Sequence, residues 1–414
     1  MSRVLIKNFG PIKEGFAEDN GWIDFSRVTA FCGPQGSGKS SVAKTYAFFT
    51  WLEKVLTRGD QRESVWAGGK KFPKTFVEFH NVGEYFRPET VLGYRGASYS
   101  FMWGNGEFKI ERSTEAHTEY LMPKIMYVPA ERNFMSVIEA VDRVTNIPQN
   151  LNAVTREFLY ACRQFAEGID LPVEGFSFKY DKLNRIGKVV LADGSSVRLS
   201  AASSGLQSMT PLFLVSEYLY RQMLEEKDPT KSMSLAAYRQ MMDNVFNSLS
   251  IDELPEAISQ GVAQFSAALI KRFINIVEEP EQNLFPSSQQ KVLFKLLEYV
   301  KGTRKFQHNQ LVFTTHSPYL VEYLKLVAQA AEHPEMLSDV SVLRTGLSGS
   351  SLVRKEDMLL YETKPDGTIQ KLVDEDGFWP DSDVLHAAFD DISEDYATIL
   401  ERQDCVYSVC AGGR

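Results

Sequence analysis

The stretch "SSGLQS", Ser203–Ser208, opens the apolar run "MTPLFLVSEYLY" and has two readings. As a local feature it is a polar turn in which Ser204 caps a helix. A helix N-terminus carrying serine and glycine is also a ready anion site, because its unpaired N–H groups and dipole point outward. The second reading needs a phosphate-binding element elsewhere in the chain.

That element is "GPQGSGKS", Gly33–Ser40, which fits GxxxxGK[ST]. Glycines let the backbone N–H groups wrap phosphates, Lys39 reaches the β- and γ-phosphates, and the Ser40 hydroxyl coordinates Mg²⁺. The apolar "VTAFC" before it reads as a strand and "SVAKTYAFFTWL" after it as a helix. Gly33, Pro34, Gln35, Gly36, Ser37, Gly38, Lys39, Ser40 and Ser41 are therefore the expected nucleotide-binding residues, with ATP and Mg²⁺ as cofactors.

Two further strands end in polar chemistry. "FINIVEEPEQNLFP" places Glu278 and Glu279 at the end of an apolar run. A phosphate-loop hydrolase needs one acid near the Mg²⁺ shell and one to polarise the attacking water. Glu278 is assigned to the first role and Glu279 to the second. "QLVFTTHSPYL" ends in Thr315, His316 and Ser317, with one helix, "SSQQKVLFKLLEYV", between it and the acids. That order predicts two adjacent parallel strands ending on one edge, where His316 would meet the γ-phosphate.

Bulk properties are those of a globular chain: 414 residues, 43% hydrophobic and 24% charged. No run reaches the ~18 apolar residues of a membrane span, and "MSRVLIKNFG" lacks the apolar core of a signal peptide. Cys32, Cys162, Cys405 and Cys410 form no CxxC pair, which fits reduced thiols and a cytoplasmic location. The net charge of −9 argues against non-specific nucleic-acid binding as the main task, while leaving a local basic groove open.

Along the chain, "RVLIKNFG", "WIDFS" and "RVTAFCG" read as strands. A hairpin is expected between Glu89 and Ser113 around Gly104-Asn105-Gly106, and a second strand cluster around Asp193-Gly194. Apolar spacing predicts helices over 41–58, 134–145 and 151–168, and a helical insertion over about 212–271 containing Met223, Met233, Met241 and Met242. Methionine at helical spacing suits a core, with a partner surface as the alternative. Beyond residue 346 come a hairpin across Pro365-Asp366-Gly367, the acidic "DEDGFWPDSD" and a final helix through "VLHAAFDDISEDYATILER". No internal repeat or sustained heptad is present.

The order phosphate loop, "SSGLQ", "EEPEQNLFP", "TTHSP" resembles the ATP-binding cassette (ABC) heads of SMC-like and OLD-like ATPases. The resemblance covers residues 1–345. It implies an α/β ABC-type head with a β-rich N-terminal lobe, a helical insertion and a small α+β extension over 346–414. It also implies that Ser204, Gly205 and Gln207 complete a partner's site in trans, while Lys39, Ser40, Glu278, Glu279 and His316 act in cis. Three features depart from the pattern. Glu278 stands where the family has Asp, Leu206 where many signatures have glycine, and no glutamine loop is evident, with Glu131 and Arg132 of "YVPAERN" in its place.

Among such heads, the compact form with "VPAERN" and an acidic tail resembles the ATPase subunit of PARIS anti-phage systems. That implies a sensor-scaffold whose ATP-bound oligomer, built from sandwich dimers and a second interface, holds a separate Toprim-type nuclease toxin. A viral anti-restriction protein that mimics DNA would release the toxin. Phe378 and Trp379 in the acidic segment could anchor a basic toxin surface. The alternative is a DNA-repair-type ATPase that clamps DNA directly. A nuclease within this chain is not expected, since "DSD", Asp381–Asp383, lacks a strand context, and a kinase would not need the signature or His316.

Overall fold

The computed structural model describes residues 2–113, 120–139, 141–225, 270–302, 308–334 and 346–372. Three sheets form in this mixed α/β structure. The strands are β1 (Ser2–Phe9), β2 (Gly15–Phe16), β3 (Trp22–Phe25), β4 (Val28–Cys32), β5 (Phe86–Arg95), β6 (Tyr99–Gly104), β7 (Glu107–Arg112) and β8 (Pro123–Val128). They continue with β9 (Ile169–Asp170), β10 (Phe176–Asp181), β11 (Ile186–Leu191), β12 (Ser196–Arg198), β13 (Arg272–Glu278), β14 (Gln310–Thr314), β15 (Met358–Thr363) and β16 (Thr368–Lys371). Seven helices join them among the described residues: α1 (Lys39–Thr57), α2 (Lys71–His80), α3 (Phe134–Val137), α4 (Gln149–Gln164), α5 (Ser204–Glu225), α6 (Pro286–Lys301) and α7 (Pro318–Glu332).

The central sheet has the order β2-β16-β15-β4-β14-β13-β8, and its five strands from β15 to β8 are mutually parallel. Parallel strands buried on both faces should read as unbroken apolar runs, and "VTAFC" and "FINIV" do so. Alternate side chains supply the two cores. Val28, Ala30 and Cys32 face the layer of α4, α5, α6 and α7, while Phe31 faces α1 and the N-terminal lobe. That lobe is the antiparallel sheet β3-β1-β5-β6-β7, closed against α1 and α2 by aromatic stacks such as Phe72 on Phe108 and Phe49 on Phe72. The antiparallel sheet β12-β11-β10-β9 stands beside α4 and leads into α5.

Several expectations need correcting. The helix expected over 134–145 is one turn, α3, followed by a 3-10 turn at Val141–Arg143. Val137 and Ile138 are 49% and 40% exposed, so their apolar spacing faces no core, and Ile138 leaves the helix in an extended conformation. The hairpin expected over 89–113 is the three-stranded meander β5-β6-β7. The 346–414 extension is not separate where it is described. β15 and β16 form the expected hairpin across Pro365-Asp366-Gly367, but β15 pairs with β4 in the central sheet. Of the helical insertion, Leu212–Glu225 continues α5 and its Met223 is core. The other named methionines, the acidic segment, Asp381–Asp383, Cys405, Cys410 and the final helix lie outside the described residues.

Candidate functional site

Five parallel strands end on one edge of the central sheet, and each contributes one part of the site. β4 runs into the loop Gly33–Gly38 and then α1. Gly33 adopts φ +134, and a Cβ there would collide with the carbonyl oxygen of Thr363, the last residue of β15. Thr363 Oγ1 lies 2.6 Å from Ser37 Oγ, which donates to Pro34 O at 2.7 Å. The loop is thus braced by a strand from the far end of the described chain. Nothing in the sequence before residue 345 signals that support.

Lys39 is buried and folds back over its own loop, donating to Gly33 O at 2.8 Å and Pro34 O at 2.7 Å, with His316 Nδ1 3.5 Å away. Burial lowers its pKa to about 8, partly offset by Glu279 and other acids nearby. Ser40 is half-buried at the first turn of α1, Ser41 is buried beneath it, and Gln35 and Gly36 are exposed at the loop's crest.

β13 and β14 lie side by side and parallel, with Glu278 opposite Thr314, as the order of the two motifs predicts. Glu278 is buried. Its Oε2 accepts from Ala130 N–H at 3.3 Å, and its Oε1 accepts no hydrogen bond of normal geometry among the described residues. The neighbouring Tyr127 phenol is pushed well up by burial and by that carboxylate. An orphaned carboxylate oxygen at the sheet edge, together with the Ser40 hydroxyl, fits the oxygen ligands a hard divalent cation takes. Glu279 takes φ +45, uncommon for a residue with a side chain, and its N–H donates to Thr314 O at 3.0 Å. That backbone turn directs Oε1 to within 3.5 Å of His316 Nε2. The His316 contact lowers the Glu279 pKa against the opposing effect of burial, so the carboxylate is ionised at neutral pH.

Glu281, to which the sequence alone assigns no role, holds His316. The carboxylate accepts from His316 N–H at 2.7 Å and from Thr315 Oγ1 at 2.9 Å. Burial raises its pKa, and these donors counter the rise. Arg132, noted only as a stand-in for a glutamine loop, is fully buried and bonds to backbone carbonyls, including those of Glu278 and Glu279. Glu131 beside it is exposed.

The signature turn lies against the loop that follows the acids. A Cβ on Gly205 would lie 2.7 Å from Asn283 O, and Asn283 Nδ2 donates to Ser208 Oγ at 3.1 Å. Ser204 is exposed but is not the cap. Ser203 O accepts the first helical bond, from Gln207 N–H at 2.9 Å, which makes Ser204 the first residue inside α5. The Gln207 side chain turns back to Ser200 O at 2.9 Å. Lys39, Glu278, Glu279 and His316 therefore come together within one chain, while Ser204 faces outward beside them.

Chemically, the loop N–H groups and Lys39 could take a phosphate chain. Ser40 and Glu278 could hold Mg²⁺, and the Glu279–His316 pair could orient and deprotonate a water.

No protein-family model matches the chain, and no curated protein matches it. Among solved structures, the chain is similar to the SMC head domain from Thermotoga maritima, at 13% identity over 90% of this chain and 98% of that one, with a TM-score of 0.37. It is similar to an SMC head bound to the C-terminal winged-helix domain of ScpA, at 13% identity over 89% and 96% and a TM-score of 0.35. A third is an ATP-binding cassette in a dimeric post-hydrolysis state with ADP and phosphate, at 11% identity over 90% and 100% and a TM-score of 0.26. Likenesses this distant assign neither activity nor partner.

Proposed function

We propose that this chain is an ABC-type ATPase head that binds ATP with Mg²⁺ on Gly33–Ser41 and closes on a second copy. The copy's Ser204, Gly205 and Gln207 complete the site. The observation that carries this reading is the meeting of Lys39, Glu279 and His316 within 3.5 Å contacts at the C-terminal edge of parallel strands. The open edge supports the second copy. Phe285, 74% exposed, and Tyr319, 44% exposed, begin the two helices that follow the acids and the histidine.

In hydrolysis Lys39 would leave the Gly33 and Pro34 carbonyls for the β- and γ-phosphates. Mg²⁺, held by Ser40 and Glu278, would neutralise phosphate charge when bound. Ionised Glu279 would take a proton from the water that attacks the γ-phosphorus, the bond to the β–γ bridging oxygen would break and ADP would leave with that oxygen, and His316 would fix the carboxylate's orientation.

On this base we infer the role of a sensor-scaffold in a bacterial anti-phage system. The oligomer would hold a separate Toprim-type nuclease toxin and release it on meeting a viral, DNA-mimicking trigger. The motif set and the "VPAERN" run support this finer reading through their resemblance to PARIS ATPase subunits. A two-fold head pair would need a second interface to grow further. The test is the native mass of the chain co-expressed with its neighbouring genes, with and without ATP. A large ATP-supported assembly containing a second protein is expected. A lone monomer that only dimerises with ATP, and hydrolyses faster on DNA in a salt-sensitive way, would replace this role with the DNA-clamp reading.

A further inference from the structure

Among the described residues, the buried guanidinium of Arg132 has no carboxylate as its direct hydrogen-bond partner. It donates to four backbone carbonyls: Nη1 to Glu278 O at 2.5 Å and Pro129 O at 3.3 Å, Nη2 to Glu279 O at 2.5 Å, and Nε to Ser208 O at 3.0 Å. A planar fork with five donors is suited to reading several acceptors at once, which a lysine cannot do. Two of these acceptors belong to the acid pair and one to the first turns of α5.

The Gln207 carbonyl, one residue before the Ser208 contact, is free of its helical bond for a reason visible in the sequence. Pro211 lies inside α5, so it has no N–H for the Gln207 carbonyl, and its ring crowds that carbonyl. Gln207 O instead accepts from Ser136 Oγ at 2.7 Å, and Ser208 O accepts from Arg132 on the next position. The proline thus leaves the Gln207 carbonyl to Ser136, beside the Ser208 carbonyl that Arg132 takes. At the other end of the fork, Glu279 keeps its left-handed backbone between Arg132 on its carbonyl and Thr314 on its N–H.

We propose that Arg132 is a positioning residue that sets the Glu279 carboxylate by holding its backbone carbonyl, and ties that backbone to the signature helix of the same subunit. Closure of a partner on Ser204 is then felt at Glu279 through one side chain. The proposal rests on the ATPase reading above. Burial lowers the Arg132 pKa to about 10 against the raising effect of Glu281, Glu279, Glu278 and Glu131 nearby, leaving it protonated at neutral pH.

The experiment compares kcat, KM and nucleotide affinity for the full-length wild type, Arg132→Lys, Glu279→Gln and the double variant, with thermal unfolding of each. Arg132→Lys keeps the charge and most of the volume but cannot span the carbonyls. Its kcat should fall about 100-fold, the effect of a misplaced reacting group. Nucleotide affinity should stay within about threefold of wild type. In the Glu279→Gln background the same change should add little, because both act through one carboxylate. If Arg132→Lys does not fold, Arg132→Gln, neutral but still a donor, is carried through the same cycle. Turnover of the variant equal to wild type, or effects that multiply in the double variant, would overturn the role of Arg132 alone. A wild type that neither binds nor hydrolyses ATP would overturn the ATPase reading and this inference together.

Discussion

The phosphate loop and the signature turn sit near the same edge of the molecule and are held in different ways. In Gly33–Ser40 most of the bonds are local: Lys39 to Gly33 and Pro34, Ser37 to Pro34, with Thr363 as the distant brace. In Ser203–Ser208 one local side-chain bond, from Gln207 to Ser200 O, is joined by support from far along the chain, with Ser136 on Gln207, Arg132 on Ser208, and Asn283 against both Gly205 and Ser208. A motif whose geometry is set by its own residues can be found by pattern. One whose geometry is borrowed from other strands changes meaning with what surrounds it. The difference predicts that damage to the loop acts on nucleotide binding, while damage to the turn acts on association.

The largest effect should come at the point where the two regions meet. Glu279→Gln keeps size and polarity but removes the proposed base, so turnover should fall about 1,000-fold with ATP binding intact. ATP should then hold the paired state, visible as a dimer by light scattering. On the loop side, Lys39→Ala removes a buried ammonium and its charge-assisted bonds, and titration should show nucleotide affinity reduced at least about 100-fold. On the turn side, Ser204→Arg places a bulky charge on an exposed position. It should leave affinity unchanged and weaken ATP-dependent pairing by about 30-fold or more.

Two smaller effects sharpen the same contrast. Lys39 has its pKa lowered to about 8 by burial, and bound phosphates would raise it again. Binding then takes up a proton above that value. Affinity should be flat below about pH 8 and fall about tenfold per pH unit above it, until the complex itself titrates. Lys39→Ala should lose this dependence, and Ser204→Arg should keep it. Gly205→Ala pushes a methyl to 2.7 Å from Asn283 O, and calorimetry should show a destabilisation of about 1–3 kcal/mol.

The same contrast explains what could be read in advance. Strand–loop–helix around Gly33–Ser40, the parallel neighbours β13 and β14, and the turns at Asn105-Gly106, Asp193-Gly194 and Asp366-Gly367 follow from local pattern and spacing. The membership of β15 in the central sheet did not, because "KEDMLLYET" reads equally as an outlying hairpin strand and its partner β4 is more than 300 residues away. Arg132 and Glu281 were visible as residue types but not as parts of the site. Most of their partners are backbone groups, among them those of Glu278, Glu279 and His316, and a sequence does not display which carbonyl or N–H is turned toward a side chain. The helix expected over 134–145 stops after one turn because Met135 and Val141 reach the interior while Val137 and Ile138 between them stay exposed, so no continuous apolar face is formed.

The central claim is that one subunit's Ser204 serves another's Lys39, and mixing two inactive variants tests it most directly. Lys39→Ala and Ser204→Arg are purified separately, combined at equal concentration with ATP and Mg²⁺, and assayed for phosphate release. In a mixed pair one composite site is intact in both parts, so activity should return to about a quarter of the wild-type rate if each site works alone. If native mass shows mixed pairs forming and no activity returns, or if Ser204→Arg alone hydrolyses ATP like wild type, the turn is an ordinary helix start and the site is complete within one chain.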